Sequence, residues 1–448
     1  MTIRKKKLHY EIVKDPIYGY IKLYDHELAI INTSTMQRLR RIKQLSSAHF
    51  VYPGATHSRF SHSIGVMHIA GIFTERLLEP LLSSKSISPG DAQRYILMMR
   101  LWGLTHDLGH GPFSHLFEDA VLSDFSITHE YMSAKILAED SELQKCMEKI
   151  EKRFNITTEQ MVELLTKPRE EWDDAKKIGQ SEHFESAFFW VLRGFYSADS
   201  IEYLLRDSLF TGAGFAGFDW QRLIYTSHLY KNRVVLEKRA KEALDAFLLS
   251  RLLMFDTVYY HRTTRAFDKI LADFFKNAKR LIDFKQYIED VELYKELDDT
   301  IICNTELRQL KEAKLILNRK CIYSMIDEKP IPISPEHPEV FLKLIAEKDW
   351  TQELRQNIGE NYPSDAFFVD SPNIPLNPMR GETDVFLLNT RTGEIETRKI
   401  WETFWGKIPR EMFILRLYVN KRHKSLAKKL KENFDKMLQP EGGFLSYA

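Results

Sequence analysis

His106 and Asp107 stand side by side in the run Leu104-Thr105-His106-Asp107-Leu108-Gly109-His110-Gly111-Pro112-Phe113-Ser114-His115. On one helical turn, such neighbours can offer an imidazole nitrogen and a carboxylate oxygen to the same cation. That donor pair suits Mg, Mn, Fe or Zn, and the residues alone do not choose among them. The pair closes an apolar stretch, residues 95–104, that reads as a buried helix, and a Gly-Pro break follows. Ionisable groups where a buried helix opens into a loop are costly to desolvate unless a cation or an anion satisfies them.

Two further segments can complete such a site. Arg59 and His62 stand three apart, so on a helix they share a face. A candidate ligand then sits beside a guanidinium suited to phosphate. Asp199, Tyr203 and Asp207 repeat at i, i+4 and i+8 and form one stripe along a helix, with Ser197 as its N-cap. The stripe brings a carboxylate, a phenol and a second carboxylate to one pocket. Each residue alone also has a structural use: His62 as a satisfied core histidine, Asp199 as a helix cap, His106 against a helix dipole.

The elements that must hold these groups are mostly helical. Residues 8–24 alternate loosely, with Pro and Tyr-Gly breaks, and predict a small hairpin. From Leu28 to about Phe275 the pattern is helical, with apolar stripes at Leu77, Leu78, Leu81, Leu82 and at Ala243, Phe247, Leu248, Leu252. The chain turns polar at about 143–182, through Lys167-Pro168 and a charged run at 170–177, which predicts a helical insertion or mobile cap. Beyond Phe275, Pro330, Pro332, Pro335 and Pro338 predict a junction. Residues 384–388 and 396–400 flank Asn389-Thr390-Arg391-Thr392-Gly393-Glu394 as a hairpin, residues 412–419 read as a third strand, and the Lys-rich 421–436 as a closing helix. The expected fold class is mainly α. One domain spans 1–276, with the insertion, and a small C-terminal α+β region spans 277–448.

Composition narrows the class. The chain has 448 residues, 44% of them hydrophobic, enough for a sizeable core and for two or three domains of about 150 residues. Lys+Arg number 64 and Asp+Glu 63, so bulk charge favours no polyanionic partner. The three cysteines, Cys146, Cys303 and Cys321, lack CxxC spacing and indicate neither a disulfide framework nor a zinc knuckle. The basic start, residues 4–7, is not followed by the apolar stretch of a signal peptide, and no run reaches the roughly 18 apolar residues of a membrane span. The expected location is cytoplasmic, with no membrane partner.

The order His62, His106-Asp107, Asp199 resembles the H…HD…D signature of HD-domain metal phosphohydrolases. The blocks Asp15-Pro16-Ile17-Tyr18-Gly19, Gln37-Arg38-Leu39-Arg40-Arg41-Ile42-Lys43-Gln44-Leu45, Tyr52-Pro53-Gly54-Ala55-Thr56-His57-Ser58-Arg59-Phe60 and His110-Gly111-Pro112-Phe113-Ser114-His115 resemble the deoxynucleoside triphosphate (dNTP) triphosphohydrolases, bacterial and vertebrate, over roughly residues 10–270. The resemblance implies an HD-domain helical core. It implies a divalent metal on His62, His106, Asp107 and Asp199. It implies His110 and His129 as catalytic acid/base residues, with Glu118 where the family often has Asp, and Arg59 and His115 as phosphate contacts. Gln44 and Leu45 would pack against the sugar and exclude a 2′-hydroxyl, with Tyr203 and Asp207 beside it and Asp207 accepting from the 3′-hydroxyl. The implied reaction is attack of metal-activated water on the α-phosphate, releasing deoxynucleoside and triphosphate.

Some positions depart from the family. Ser200 follows Asp199 where relatives carry Lys or Arg against the phosphates; Arg262 or Arg265 is the expected substitute. Asn32, Gln37 and Arg40 match an activating-nucleotide contact that relatives build between subunits, which implies a nucleotide activator and a homo-oligomer, most simply a tetramer. Asn32 replaces a guanine-reading Asp and loses the charge-assisted bond, and Lys14 replaces a smaller residue. Two alternatives stand beside this reading. One is another HD phosphohydrolase acting on nucleoside monophosphates, cyclic nucleotides or other phosphoesters. The other is a nucleotide-responsive assembly protein with weak catalysis, in which residues 421–436 would contact nucleic acid. Lysines there alternate with Glu432 and Asp435 as on a solvated face, so no nucleic-acid partner is expected.

Overall fold

Two long helices carry the centre of the fold: α1 (Arg59–Ser83) and α2 (Pro89–Thr105). The computed structural model describes residues 9–167, 183–194, 196–230, 233–333, 348–358, 362–375, 384–399 and 411–438. α2 begins at Ser88, whose side chain accepts from the Asp91 N–H, with Pro89 in the first turn, where an N–H is not needed. It ends at Thr105 with His106 as its C-cap, so the His-Asp pair falls where helix becomes loop. α2 meets α1 at Gly103. A Cβ there would lie 2.6 Å from Met67 N and 2.7 Å from Met67 Cα, backbone atoms that cannot swing aside.

The hairpin expected at the N-terminus is present as β1 (Tyr10–Asp15) and β2 (Gly19–Tyr24), paired antiparallel. The loop after α2 leads to α3 (His115–Ala120) and α4 (His129–Glu139). Then come α5 (Ser141–Phe154) and α6 (Thr158–Thr166), in the stretch read as an insertion. They bury Leu143, Cys146, Met147 and Ile150, and Met161, Leu164 and Leu165, in the main core. Pro168 and the charged run at 170–177 lie outside the described residues, as do the basic residues 4–7, Pro335 and Pro338. α7 (Ala198–Thr211) packs on α1 and carries the expected stripe, with Ser197 accepting from the Ser200 N–H as its cap. α8 (Lys241–Met254) and α9 (Arg262–Ala278) follow, joined by a π-helical turn at Phe255–Tyr259, and short helices continue to Leu317.

The chain is mainly α-helical with small sheets, but the strands are arranged differently from the sequence reading. β3 (Ser227–Tyr230) and β4 (Arg233–Glu237) lie inside the stretch read as helical. β5 (Tyr323–Ile333) contains Pro330 and Pro332, so these prolines mark an edge strand and not a junction. β6 (Phe367–Asp370) and β7 (Asn373–Pro375) follow, then the hairpin β8 (Asp384–Leu388) and β9 (Ile395–Lys399). β10 (Glu411–Asn420) does not extend that hairpin. It pairs antiparallel with β5, β6 and β7, while β8 pairs in parallel with β4. The closing segment is a 3-10 turn followed by α10 (Ala427–Met437). Alternation along β10 serves two cores. Phe413, Leu415, Leu417 and Val419 enter a C-terminal cluster with Trp350, Leu354 and Phe434, and Tyr418 points into the main one. The main cluster runs from Ile21 through α1 and α2 to Phe275 and on through Phe284, Tyr294 and Ile316. No described helix is long and apolar enough to cross a membrane.

The close approach at Gly103 has a measurable cost if disturbed. We expect Gly103→Ala to lose about 1–3 kcal/mol, the usual penalty for overpacking a filled interior. A thermal-unfolding midpoint equal to that of the wild type would show the crossing to be loose.

Candidate active site

α1, α2 and α7 bring four donor side chains to one point. His62 Nε2, from the first turn of α1, lies 3.1 Å from Asp199 Oδ1 and 3.6 Å from Asp107 Oδ2. His106 Nε2 lies 3.2 Å from Asp107 Oδ1 and 3.8 Å from Asp199 Oδ1. Donors about 2.0–2.2 Å from one ion stand roughly 3–3.5 Å apart. His62, His106 and Asp107 lie close enough together to share a divalent cation, and Asp199 reaches toward the same point from beside the two histidines. Nε2 of His106 is buried with no hydrogen-bond partner, which a cation would supply. Nδ1 of His106 is bonded to Gly103 O (2.9 Å) and Nδ1 of His62 to Glu202 Oε2 (2.6 Å), leaving both Nε2 atoms as ligands.

The charges agree with this fit. Burial resists ionisation of Asp107, but Arg59 and the neighbouring histidines hold it well below the usual carboxylate range. Asp199 is likewise lowered against its burial by His62 and His106. Burial keeps His106 below its ordinary value, neutral as a ligand must be. His62 behaves oppositely: burial is overcome by Glu202, Asp199 and Asp107, and it is pushed up to about 10. Negative charge is in surplus around it, and a cation is what would balance it.

Arg59 spans one flank. Its Nη1 donates to Asp107 Oδ2 (2.7 Å) and its Nε to Ser114 Oγ (3.1 Å). On the other flank His110 is stacked on His129, with centroids 3.9 Å apart, and lies 3.4 Å from Asp107 Oδ1. Both ring nitrogens of His110 are buried without a hydrogen-bond partner, and burial, then Arg59 and His129, hold its pKa well down. His129 begins α4, capped by Thr128. Its Nδ1 is 2.8 Å from Glu118 Oε2, and its N–H donates to Glu118 Oε1 (3.1 Å). The exposed His115 reaches the same carboxylate at 3.0 Å.

A cavity of about 730 Å³ opens over this cluster. Gln44, Leu45, Arg59, His106, Asp107, His110, His115, His129, Asp199, Tyr203 and Asp207, all expected from the sequence, line it. Others do not. His62 and Glu118 support lining residues from behind. Arg262 is exposed and outside the lining, where its carbonyl accepts from Tyr418. Asn32 and Arg40 are also exposed and outside the cavity; Arg40 lies over Phe60 and donates to Gln37 (2.8 Å). Arg265 lines the cavity but is bonded to Asp370 on β6 through Nη2–Oδ1 (2.7 Å) and Nε–Oδ2 (3.0 Å).

Several lining or supporting residues were not singled out from the sequence. Arg251 bonds the Tyr203 hydroxyl, and Arg193 lines the same cavity. His57 Nε2 lies 2.7 Å from Asp207 Oδ1 while Tyr259 donates to Asp207 Oδ2 (2.8 Å). Burial, with Arg251 opposing it, pushes the Tyr203 phenol up to about 12. Glu202 and Arg206, one turn apart on α7, were available by the helical spacing that revealed Asp199 and Asp207. Arg251 and Tyr259 carry no such local signal.

A helical core that delivers His, His-Asp and Asp to one point is the arrangement of an HD domain. Residues 59–186 match the HD domain model and residues 218–323 the HD associated region, and the chain belongs to the HD-domain family. It is 30% identical over 340 residues to the deoxynucleoside triphosphate triphosphohydrolase SAMHD1 homolog of Dictyostelium discoideum, which covers 71% of this chain and 60% of that protein. It is 30% identical over 339 residues to human SAMHD1, covering 69% of this chain and 53% of the human protein. The uncharacterized protein YwfO of Bacillus subtilis is 30% identical over 274 residues, covering 61% of this chain and 57% of YwfO. The chain thus spans little more than half the length of these relatives. A crystal structure of a hypothetical protein from Aquifex aeolicus superposes with a TM-score of 0.68 at 26% identity, over 95% of this chain and 100% of that one.

Removing one donor should empty the cluster. We expect Asp107→Ala to lose bound divalent metal, measured by elemental analysis, while keeping its helical circular dichroism. Full occupancy in that variant would remove the assignment.

Proposed function

We propose that the chain is a metal-dependent phosphohydrolase that splits dNTPs into deoxynucleoside and inorganic triphosphate. The observation that carries this reading is one cavity opening over a His-His-Asp-Asp donor set, with His106, Asp107 and Asp199 in its lining and His62 behind them, Arg59 on one flank and His129, backed by Glu118, on the other. Similarity to proteins named as dNTP triphosphohydrolases supports the substrate class. A divalent cation on His62, His106, Asp107 and Asp199 would acidify a bound water and neutralise phosphate charge.

The chain's own groups do the rest. Water oxygen bonds to the α-phosphorus, the bond to the nucleoside 5′ oxygen breaks, and that oxygen takes a proton. His129 supplies it: Glu118 occupies Nδ1 and orients the ring, leaving Nε2 for transfer. His110, stacked on His129, assists in proton transfer. Arg59 and His115 hold phosphate oxygens, with Arg251 and Arg193 in place of the cation missing at Ser200. Gln44 and Leu45 close on the sugar, Tyr203 lies beside it, and Asp207, braced by His57 and Tyr259, accepts from the 3′-hydroxyl. The same reading makes the protein a cytoplasmic homo-oligomer, a tetramer in its simplest form. Nucleotide would bind at Asn32, Gln37 and Arg40 between copies, and the exposure of Asn32 and Arg40 outside the cavity supports this.

Product analysis tests the reaction. Each dNTP should give deoxynucleoside and intact triphosphate, and ATP should be a poorer substrate than dATP. Release of single phosphate would favour another phosphohydrolase activity, and equal kcat/KM for dATP and ATP would remove the sugar assignment.

The proton donor has its own test. Burial opposes charge on His129, but the Glu118 hydrogen bond, Glu130, Glu118 and Asp107 outweigh it and raise its pKa. The acid form is therefore present below that raised value and lost as pH climbs through it. Glu118→Gln removes the charge that raises it, so the alkaline limb of kcat/KM should move to lower pH. His129→Ala should cut turnover by roughly 10²–10⁴-fold, with metal content kept. An alkaline limb unmoved by Glu118→Gln would separate this pair from proton transfer.

A further inference from the structure

We propose that Glu202, braced by Arg206 and Asp15, is the positioning residue that fixes His62 as a metal ligand. The proposal rests on the metal reading above. His62 has two different ring nitrogens to satisfy. Nε2 faces Asp199 Oδ1 and Asp107 Oδ2, and Nδ1 lies 2.6 Å from Glu202 Oε2. Both nitrogens face carboxylates, which can only accept; Glu202 keeps the hydrogen on Nδ1, so a cation that displaces the Nε2 proton finds the lone pair there.

Glu202 is itself held. Its Oε1 accepts from Arg206 Nε (2.6 Å), and Arg206 Nη2 donates to Asp15 Oδ2 (2.9 Å). Asp15 Oδ1 accepts from the N–H groups of Ile17 and Tyr18 (2.8 and 3.2 Å) in the β1–β2 turn. Glu202 and Arg206 are 0% exposed. Buried ion pairs are weak devices for stability alone, since apolar replacements often serve as well. Spacing on α7 explains the economy of the arrangement: Asp199 supplies a ligand, and Glu202, three residues on, braces another.

Space is also reserved for Glu202. Gly65 lies inside α1, where glycine disfavours helix. A Cβ on Gly65 would stand 2.0 Å from Glu202 Oε1, 2.6 Å from its Cδ and 2.8 Å from its Cγ. Glycine admits the carboxylate to His62.

Glu202→Gln is informative because Arg206 dictates the amide's orientation. The guanidinium donates, so the amide oxygen turns to it and the NH₂ group faces His62 Nδ1. That favours the tautomer with hydrogen on Nε2, which cannot bind a cation.

The experiment is titration of the metal-stripped full chain with Mn²⁺, in the wild type, Glu202→Gln, Gly65→Ala and His106→Ala. We expect Glu202→Gln and Gly65→Ala to bind Mn²⁺ about 10–100-fold more weakly, the usual effect of losing such a brace. Hydrolysis in Glu202→Gln should recover as Mn²⁺ is raised, a recovery that general structural damage would not allow. Should Glu202→Gln fail to fold, Asp15→Asn carries the test, with several-fold weaker Mn²⁺ binding expected. Wild-type affinity in the folded Glu202→Gln variant, or in Asp15→Asn where it stands in, would overturn the proposal. If His106→Ala also bound like the wild type, the metal site itself would fall. Binding lost in His106→Ala but kept in Glu202→Gln would remove only the role of Glu202.

Discussion

The loop after α2 must leave the helix while staying buried, and the site depends on how its backbone is satisfied. Unpaired peptide groups in an interior are expensive, and helix ends leave several of them. Here other segments supply the partners. Ser133 accepts from the Gly109 N–H (2.8 Å) and donates to His106 O (2.6 Å). Arg38, fully buried, donates to the carbonyls of Leu108 (3.2 Å) and His110 (2.6 Å) and to Leu297 O (2.9 Å). The Tyr294 hydroxyl donates to Gly109 O (2.6 Å), and Asp299 accepts from the Phe113 N–H (2.7 Å). Phe113 and Ser114 then take positive φ, 59° each, a conformation that persists only where the surroundings impose it. The imposed bend sets His110 and Ser114 on opposite flanks of Asp107, one toward His129 and the other under Arg59.

The same economy governs α7. One helix presents Asp199 to the donor cluster, Tyr203 and Asp207 to the cavity, and Glu202 and Arg206 inward to α1 and β1. Positions 199, 203 and 207 share one face, and 202 and 206 the adjacent one. The five charged and phenolic groups of α7 are thus set by the geometry of one helix, which holds them tightly.

Local periodicity explains what was legible in the sequence. The Arg59–His62 spacing and the 199–203–207 stripe lie within single helices, and the His-Asp pair sits at the end of one, so one segment's pattern was enough. The N-terminal hairpin and the β8–β9 hairpin were readable for the same reason. What escaped was non-local. β4 pairs with β8, about 150 residues later, and five-residue strands leave little alternation to find. β10 reads as a strand, but nothing in its residues states that β5, not β9, is its neighbour. Arg38 stood in a block quoted for its family likeness, yet its buried role depends on residues 108, 110 and 297, which only folding brings together. Arg262 and Arg265 sit three apart at the start of α9, and spacing could not say which enters the cavity. The outcome turned on Asp370, a residue 105 positions away.

That last contact gives the C-terminal sheet a mechanical place in the site. Three of its side chains grip residues 260–265, the stretch leading from the π-helical turn into α9. Arg416 donates to Tyr260 O, Tyr418 donates to Arg262 O (2.9 Å), and Asp370 holds Arg265. Tyr259, Tyr260, Thr264, Arg265 and Asp268 from this region line the cavity wall. Asp268 there is half-buried and held up to about 6, chiefly by desolvation against the opposing pull of Arg265. The back of this wall is packed into the main core through Val258, Ala266, Phe267 and Ile270. Anchoring its backbone carbonyls and its arginine to a sheet with a separate hydrophobic cluster adds a second hold, and it ties the cavity's geometry to residues far beyond the helices that carry the donor set.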